Sequence, residues 1–308
     1  MSAIKIGGLS KSFGSFKAVS DLSLEVGENI VFGFLGPNGA GKTTTIRMMV
    51  GLIKASSGII EVAGSRVGFG EHKNHNLFGY LPEQPSFYGW MTGGEYLSFA
   101  AGLFGLSARS RANKAKYLLG LVGLEPARNK KISSYSNGMK QRLGIAQALI
   151  GDPRVLILDE PVSALDPVGR KEVLNIIEEL GKSKTVFMST HILADVDRVC
   201  NEVAIIDRGR LVIQSPLAKL KEKYASPILR IDFTGDPAEI LPGLQKSEWA
   251  RKIEKNGNQI KIWLKDTHVM ESNIPLKALA GLNVGVLNYG LTLPETEDLF
   301  VEMLENNQ

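Results

Sequence analysis

A glycine-rich segment near residue 40 constrains the fold more than any other feature of the sequence. Residues 36–43 read GPNGAGKT and satisfy the pattern G-x-x-x-x-G-K-[S/T]. The apolar run 30–35 before it shows no alternation, as expected of a strand buried on both faces of a parallel sheet. Residues 42–52 after it carry apolar side chains at helical spacing. Strand, glycine loop and helix in this order predict an α/β fold with a phosphate-binding loop.

The residues of this loop have defined expected roles. Glycines permit the tight turn in which backbone N–H groups surround a phosphate, and the helix N-terminus adds partial positive charge. We expect Lys42 to reach the β- and γ-phosphates, Thr43 to ligate Mg²⁺ and Thr44 to contact a further phosphate oxygen. The predicted ligands are ATP and Mg²⁺, and the predicted nucleotide-binding residues of the loop are Gly36, Pro37, Asn38, Gly39, Ala40, Gly41, Lys42, Thr43 and Thr44.

Two acidic residues follow a second apolar run. Residues 155–158 are all apolar, and Asp159 and Glu160 come directly after them. Two acids at the end of a buried strand are costly unless they serve a function, although an ordinary acidic turn is the alternative. We expect Asp159 to hold Mg²⁺ through a water molecule and Glu160 to polarise the water that attacks the γ-phosphate. Together the two motifs indicate a P-loop NTPase, a broad class that includes kinases, GTPases and motor proteins.

The segment 135–142, YSNGMKQR, resembles the signature of the ATP-binding-cassette (ABC) ATPases. In that family the signature serine and second glycine bind the γ-phosphate of ATP held by a partner subunit, so the resemblance implies contacts in trans from Ser136 and Gly138. From the residues alone, Ser136 is also a good helix cap. The segment departs from the family pattern at Asn137, which tolerates left-handed backbone angles, and at Met139, which lacks an amide that could contact the ribose.

The same resemblance implies two further catalytic residues. Gln84, in the segment GYLPEQP, matches the family's Q-loop, which reaches Mg²⁺ or the attacking water. His191, after a predicted strand at 185–188, is similar to the switch histidine that touches the γ-phosphate and orients Glu160. Taken alone, a glutamine in a loop or a single histidine is usually structural or solvated.

Two more positions complete the predicted site. Residues 163–167, SALDP, resemble the D-loop that crosses the dimer interface in the family, while Asp166 before Pro167 is also an ordinary helix start. The family stacks adenine on an aromatic residue near the N-terminus, and Phe13 occupies that place, with Phe16 as the weaker candidate and a core or turn aromatic as the alternative.

The chain of 308 residues is long enough for two domains. The resemblance covers about residues 1–220 and implies an ABC ATPase core with a mixed sheet, an N-terminal antiparallel β part and a helical subdomain inserted at about 86–150. Residues 221–308 show the order strand, helix, strand, strand, helix, strand. This order predicts a small α+β accessory domain of ferredoxin-like type, ending in a helix from Pro294.

Partners and location follow from bulk features together with the resemblance. No stretch approaches the ~20 apolar residues that span a bilayer. The net charge of +4 is only weak support for a nucleic-acid partner, and none is expected. The resemblance implies a separate transmembrane permease, a second nucleotide-binding subunit that is identical or related, and a location at the cytoplasmic face of the membrane. The segments 81–97 and 294–300 resemble subunits of multidrug, sodium or antibiotic exporters.

Two other functions compete with transport. One is a soluble ABC ATPase that remodels ribosomes or DNA; ribosomal types usually carry two cassettes, and DNA-repair types insert long coiled coils that this chain lacks. The other is an inactive regulatory cassette, which is disfavoured because all the catalytic positions are filled, namely Lys42, Gln84, Asp159, Glu160 and His191. We therefore expect an ATP-hydrolysing exporter subunit.

Overall fold

A computed structural model of the chain describes residues 2–70, 77–163, 165–223, 228–245, 247–265, 268–271, 273–280 and 285–292. The chain divides into two compact units, residues 1–217 and 218–308. Within the described ranges, no helix has the length and apolar character that crossing a membrane requires. Ala164 of the predicted D-loop and the predicted closing helix from Pro294 lie outside the described residues.

The first unit alternates strands and helices. Its elements in chain order are β1 (Ser2–Phe13), β2 (Phe16–Gly27), β3 (Val31–Leu35), α1 (Lys42–Met49), β4 (Ser57–Val62), β5 (Ser65–Arg66), β6 (Phe78–Leu81), α2 (Gly93–Leu103), α3 (Ala108–Leu121), α4 (Asn137–Ala148), β7 (Val155–Leu158), α5 (Pro167–Gly181), β8 (Thr185–Thr190), α6 (Leu193–Val199), β9 (Glu202–Asp207) and β10 (Arg210–Pro216).

The strands of this unit form two sheets. The first is antiparallel with the order β2-β1-β4-β5, and the second has six strands in the order β10-β9-β3-β8-β7-β6. In the second sheet β10 is antiparallel to β9, whereas β9, β3, β8, β7 and β6 pair in parallel. The predicted α/β fold with a mixed sheet and an N-terminal antiparallel part is therefore confirmed.

One apolar core joins both sheets to α1. It contains Leu9 and Leu22 from the first sheet, Phe32 and Phe187 from the second, and Ile46 from α1. The rings of Phe32 and Phe187 stack with their centroids 5.4 Å apart. Every residue of β3, β7 and β8 is buried; β3 and β7 are wholly apolar, while β8 ends in the buried polar residues Ser189 and Thr190. Because the strands are parallel, those three ends meet at one edge of the sheet.

Polar caps begin the helices between β6 and β7. The Thr92 hydroxyl accepts a hydrogen bond from the Glu95 N–H at 3.2 Å, and the Thr92 N–H donates to the Glu95 carboxylate at 2.8 Å. This reciprocal pair starts α2, while Ser107 caps α3 and Ser136 caps α4. Each cap satisfies an N–H group that the first turn of a helix leaves without a partner.

The second unit has a four-stranded antiparallel sheet with the order β12-β13-β11-β14. Its elements, after α7 (Leu217–Lys223), are β11 (Ile228–Phe233), α8 (Leu241–Gln245), β12 (Ala250–Asn256), β13 (Gln259–Leu264), α9 (His268–Glu271), α10 (Ile274–Ala280) and β14 (Val286–Thr292). The second helix predicted for this domain is two short helices, α9 and α10. Asn273, between them, has φ 52°, in the left-handed region that does not continue a right-handed helix.

Candidate active site

The glycine loop between β3 and α1 lies at the carboxyl end of the parallel strands. Gly41 has φ 103°, and a Cβ at this position would come within 2.6 Å of the Ala18 carbonyl oxygen. A Cβ at Gly36 would lie 2.4 Å from the backbone oxygen of Ile206. Any larger residue at these two positions would clash with backbone, so the loop closes against the core only with glycine. The unpaired N–H groups of the first turn of α1 then stand beside the loop.

The ammonium group of Lys42 has three oxygen partners. It donates to the carbonyl oxygens of Gly36 at 2.7 Å and Pro37 at 3.2 Å, and it lies 3.2 Å from Oε1 of Glu160. The side chains of Lys42 and Glu160 are only 6% and 8% exposed. A buried ion pair needs such additional hydrogen bonds because desolvation of both charges is costly. Lys42 therefore ties the loop to the carboxylate that follows β7.

Glu160 is held at both carboxylate oxygens and at its backbone. Besides its contact with Lys42, its Oε2 lies 2.9 Å from Nδ1 of His191. Its N–H donates to the Ser189 hydroxyl at 2.9 Å. The φ of 46° is in the left-handed region, which is uncommon for glutamate and is sustained here by these contacts. The structure thus brings together three predicted site residues, Lys42, Glu160 and His191, each of which follows a different strand of the parallel sheet.

Asp159 lies beside Glu160 and is buried among hydroxyl groups. Its Oδ1 accepts hydrogen bonds from Ser189 at 2.7 Å and from Thr43 at 3.3 Å. Burial raises the pKa of the Asp159 carboxyl above its usual range; the two hydroxyl hydrogen bonds oppose this rise, and the carboxylates of Glu83 and Glu160 add to it. The ionised form is therefore held at an energetic cost.

Ser189 is a site residue that the sequence analysis missed. Its hydroxyl donates to Asp159 and accepts from the N–H of Glu160, so one side chain fixes both acids. The residue is fully buried at the end of β8, two positions before His191. The sequence signal that could have identified it is a serine and a threonine placed between the apolar run 186–188 and a histidine.

The oxygens of Thr43 and Asp159 fit a hard divalent cation. A carboxylate whose charge is disfavoured by burial and by neighbouring carboxylates is stabilised by positive charge nearby. Across the part of the chain that the structure describes, no group of three or more His, Cys, Asp or Glu residues could hold a metal alone. Mg²⁺ does not need such a group, since it usually takes one or two protein oxygens and completes its shell with phosphate and water.

A cavity of about 450 Å³ opens over the glycine loop. The cavity is lined by residues of the glycine loop, of the first antiparallel sheet and of the segments that follow β6, β7 and β8. They are Phe16, Ala18, Asn38, Gly39, Gly41, Lys42, Thr43, Thr44, Glu83, Glu160, Ser163 and His191. Ala40 is buried behind the loop, while the Gly36 and Pro37 carbonyls face Lys42. Six of the nine predicted loop residues thus share one cavity with Glu160 and His191.

Glu83, and not the predicted Gln84, lines the cavity. Gln84 is exposed and outside the lining. The backbone oxygen of Glu83 accepts a hydrogen bond from Nε2 of the buried Gln141 at 3.1 Å, which fixes this segment against α4. The backbone bends at residues 83 and 84, just after β6 ends at Leu81. The prediction placed Gln84 in the Q-loop position, and in the structure its neighbour Glu83 is the residue of this segment that lines the cavity.

Phe16 lines the cavity, whereas the predicted Phe13 does not. Both rings are exposed, at 64% and 52%. The two residues are cross-strand partners at the tip of the β1–β2 hairpin, and the Lys11 ammonium lies 4.8 Å from the ring centroid of Phe13. That cation–π contact occupies one face of Phe13. The residue treated as the weaker candidate is therefore the one at the cavity.

Ser136, Gly138 and Asp166 lie outside the cavity lining. Ser136 is exposed, and its hydroxyl accepts from the Met139 N–H at 3.2 Å at the start of α4. Asp166 caps α5 by accepting from the Gly169 N–H at 3.1 Å. A Cβ on Gly138 would lie 3.7 Å from the Gly169 Cα, so the first turns of the two helices approach closely. The structure does not bring these three residues to the chain's own glycine loop.

An ion pair links α5 to α6, the helix that follows His191. Nε of Arg170 donates to Oδ1 of Asp195 at 2.7 Å, and the Asp195 side chain is fully buried. Burial raises the pKa of Asp195, and the Arg170 charge opposes that rise. Removing one partner of a buried pair is strongly destabilising, so the contact fixes the two helices relative to each other. Neither residue belongs to a motif that the sequence reveals.

Replacing Asp159 by Asn should raise the melting temperature of the chain, measured without nucleotide near pH 7. The raised pKa means that the folded state binds a proton more tightly than the unfolded state, so stability is lost as pH rises from about 4, the ordinary carboxyl pKa, through the raised value. Asn removes this loss, and we expect a gain of a few degrees at neutral pH. Circular dichroism melts at several pH values measure it.

Asp152 provides a control of opposite sign. A hydrogen bond from Lys184 at 2.8 Å lowers the pKa of this exposed carboxyl. The ionised carboxylate therefore stabilises the folded state at neutral pH, and this stabilisation is lost as the pH falls. Asp152→Asn should therefore lower the melting temperature slightly at pH 7. A melting temperature for Asp159→Asn at or below that of the wild type would contradict the account of the Asp159 environment.

Known proteins resemble this chain along most of its length. The family model described as ABC transporter matches residues 19–163. YxlF, an ABC transporter ATP-binding protein of Bacillus subtilis (strain 168), is 43% identical over 91% of this chain and 93% of its own. The bacitracin transport ATP-binding protein BcrA of Bacillus licheniformis is 41% identical over 71% of this chain and 72% of its own.

Solved structures agree on the fold. A structure of an ATP-binding subunit of an ABC transporter has a TM-score of 0.64 at 30% identity and covers 72% of this chain and 93% of its own. A cassette in a dimeric post-hydrolysis state with ADP and Pi has a TM-score of 0.63 at 22% identity, covering 70% of this chain and 98% of its own.

Proposed function

The chain belongs to the family of ABC transporter ATP-binding proteins, and we propose that its cavity is one half of a composite site in which two subunits hydrolyse Mg²⁺-ATP to drive export through a separate permease. The observation that carries this proposal is the contact of Glu160 with both Lys42 and His191 beside the glycine loop. This cluster combines a group that neutralises phosphate, a carboxylate base and a histidine that orients the base.

A triphosphate on the loop would change the partners of Lys42. Its oxygens would receive hydrogen bonds from the loop N–H groups and the start of α1, and they would compete with Glu160 for the Lys42 ammonium. Oε1 of Glu160 would then be free to accept a proton from the attacking water. His191 would keep Oε2 in place at 2.9 Å. Since an ionised carboxylate only accepts hydrogen bonds, Nδ1 of His191 must carry the hydrogen in this contact.

The cation is proposed to be Mg²⁺, held by the Thr43 hydroxyl and by Asp159, either directly or through water. Bound there, it would supply positive charge to the phosphate oxygens. Glu83 in the same lining adds a third oxygen-bearing side chain, in the role that the sequence analysis gave to Gln84. Adenine is proposed to stack on Phe16 at the edge of the cavity, in place of Phe13.

A second subunit is proposed to complete the site through Ser136, Gly138 and Asp166. The support is their exclusion from the chain's own cavity, together with the capped N-terminus of α4, whose partial positive charge suits a phosphate presented from outside. Each ATP would then bridge two subunits and stabilise their closed state. The partner is proposed to be a second copy of the chain or a close relative.

The permease is proposed to dock on an apolar stretch at the C-terminal end of α2, which includes its capping residue Phe104. Phe99, Leu103 and Phe104 are 45%, 74% and 41% exposed, and α2 follows the segment that contains Glu83. An exposed apolar helix face suits an amphipathic cytoplasmic segment of a membrane protein.

We further propose a nucleotide-binding domain over 1–220 with its helical subdomain at 86–150, and a ferredoxin-like accessory domain over 221–308. The antiparallel β12-β13-β11-β14 order supports the ferredoxin-like assignment.

Purification from membranes tests this function. The tagged chain should bring down a membrane-spanning protein, and Mg²⁺-ATP hydrolysis should rise when the two are reconstituted. Leu103→Glu should lose that partner because it places a charge in an apolar contact, whereas Leu52→Glu, at another exposed leucine, should retain it. Recovery of ribosomes or DNA with the wild type, and no spanning protein, would instead support the soluble remodelling function.

A further inference from the structure

The positive charge of the chain is concentrated in the helical region between β6 and β7. Residues 86–150 contain nine of the 36 Lys and Arg residues but only two of the 32 Asp and Glu residues. The remainder of the chain therefore has a small excess of acidic residues. A segment with such an imbalance attracts a polyanionic partner more strongly than the overall net charge suggests.

Several of these cations already have partners within the fold. Arg142 lies 3.5 Å from Glu172 of α5, and Nε of Arg111 donates to the Leu106 carbonyl. The charge of Lys114 contributes to the lowered pKa of Asp152. Three of the nine cations therefore have partners within the fold.

Five other cations form what we call the basic face: Arg109, Lys116, Arg128, Lys130 and Lys131. Lys116 and Arg128 line one cleft between α2 and α3 of about 450 Å³. Arg109 precedes Lys116 by two helical turns and shares its side of α3. Lys131 forms an isolated β-bridge with Thr92, which lines the same cleft. Arg128 lies 3.2 Å from Glu125, both partly exposed; within the described ranges, no ion pair is found for the other four.

Two exposed aromatic residues adjoin the basic face. Trp90 and Tyr88 are 72% and 52% exposed, and their ring centroids are 6.0 Å apart. Backbone hydrogen bonds from Ile132 to Met91 at 2.9 Å and from Ser133 to Gly89 at 3.0 Å tie this aromatic segment to the one that carries the lysines. Tryptophan and tyrosine beside lysine and arginine is the combination that favours the headgroup layer of a bilayer.

We propose that the basic face, with Tyr88 and Trp90, binds anionic phospholipid headgroups of the cytoplasmic leaflet. Charge complementarity favours lipid over the permease as the occupant, because cytoplasmic loops of membrane proteins themselves carry an excess of Lys and Arg. Each Lys or Arg close to an anionic leaflet raises the affinity of a protein for the membrane by a factor of about five. The contact would hold the helical region towards the bilayer, beside the α2 residues proposed for the permease.

Vesicle binding by the full-length chain, without permease, tests this inference. We expect partition onto vesicles of phosphatidylcholine with about one third phosphatidylglycerol, and much weaker partition onto phosphatidylcholine alone or at high salt. The triple variant Lys116→Gln, Lys130→Gln, Lys131→Gln should bind the anionic vesicles about a hundredfold more weakly. Trp90→Ala should weaken binding by a smaller factor.

A charge-matched control separates the basic face from net charge. Lys5, Lys171 and Lys182 are exposed lysines outside residues 86–150, and their combined change to Gln should alter vesicle binding less than about threefold. Equal losses in the two triple variants, or equal binding to neutral and anionic vesicles, would overturn the proposal. The proposal would also be overturned if the chain bound neutral vesicles only when they contained the permease, and if that binding depended on Lys116, Lys130 and Lys131. The inference rests on the proposed membrane location only, and its failure leaves the permease partner and the ATPase untouched.

Discussion

Replacing Glu160 by Gln should leave ATP affinity within a few-fold of the wild type and lower the hydrolysis rate by about 10²- to 10³-fold. The amide keeps the size of the side chain, but it can neither accept the proton of the attacking water nor form the ion pair with Lys42. Loss of that ion pair leaves the Lys42 ammonium more available to phosphate, so binding should not weaken. Calorimetric titration with ATP and a phosphate-release assay measure the two effects separately.

Glu178→Gln is the matched control for this variant. Glu178 is an exposed carboxylate of α5, outside the cavity, so the same chemical change should affect neither binding nor rate. Hydrolysis by Glu160→Gln at a rate close to that of the wild type would remove Glu160 from the role of base. The ion pair between Lys42 and Glu160 would then be only a structural contact between the start of α1 and the segment that follows β7.

Replacing Gly138 by Asp should abolish most turnover without unfolding the chain. A Cβ at Gly138 would lie 3.7 Å from its nearest neighbour, the Cα of Gly169, which is an ordinary van der Waals contact. An acidic residue in the first turn of α4 also suits the helix dipole. Facing the partner's γ-phosphate, however, the new carboxylate would bring like charges together, at a cost of several kcal/mol. We expect a rate about 10²-fold lower with normal ATP affinity at the chain's own loop.

Gly120→Asp is the corresponding control on α3. A Cβ at Gly120 meets no atom within 4 Å, so the same substitution on an exposed helix position should leave turnover unchanged. The melting temperatures of both variants verify that the fold is kept. Normal turnover by Gly138→Asp would contradict the proposal that the N-terminus of α4, the signature helix, contacts the nucleotide bound to the partner subunit.

The sequence predicted those parts of the site that depend on local structure. The glycine loop, its strand and its helix are consecutive, so the pattern at 36–43 contains the whole unit. Asp159 and Glu160 follow an apolar strand directly, and parallel strands bring their carboxyl ends to one edge. The meeting of Lys42, Glu160 and His191 follows from that topology once the three strands are recognised.

The sequence did not predict contacts that depend on side-chain direction or on distant partners. The choice of Glu83 over Gln84, and of Phe16 over Phe13, depends on which neighbour faces the cavity, and residue type alone does not fix this. Ser189 acts through hydrogen bonds to two acids that lie on another strand. Such contacts become visible only after the register of β7 and β8 is known.

The central claim is that one subunit supplies the glycine loop and another supplies the signature helix. Mixing two inactive variants, Lys42→Ala and Gly138→Asp, tests it most directly, because their mixed dimer contains one site with an intact Lys42 and an intact Gly138. The account predicts that hydrolysis, measured as phosphate release, reappears on mixing and peaks near equal amounts of the two. A mixture no more active than the sum of its separate components, with mixed dimers shown by differential tagging, would contradict it.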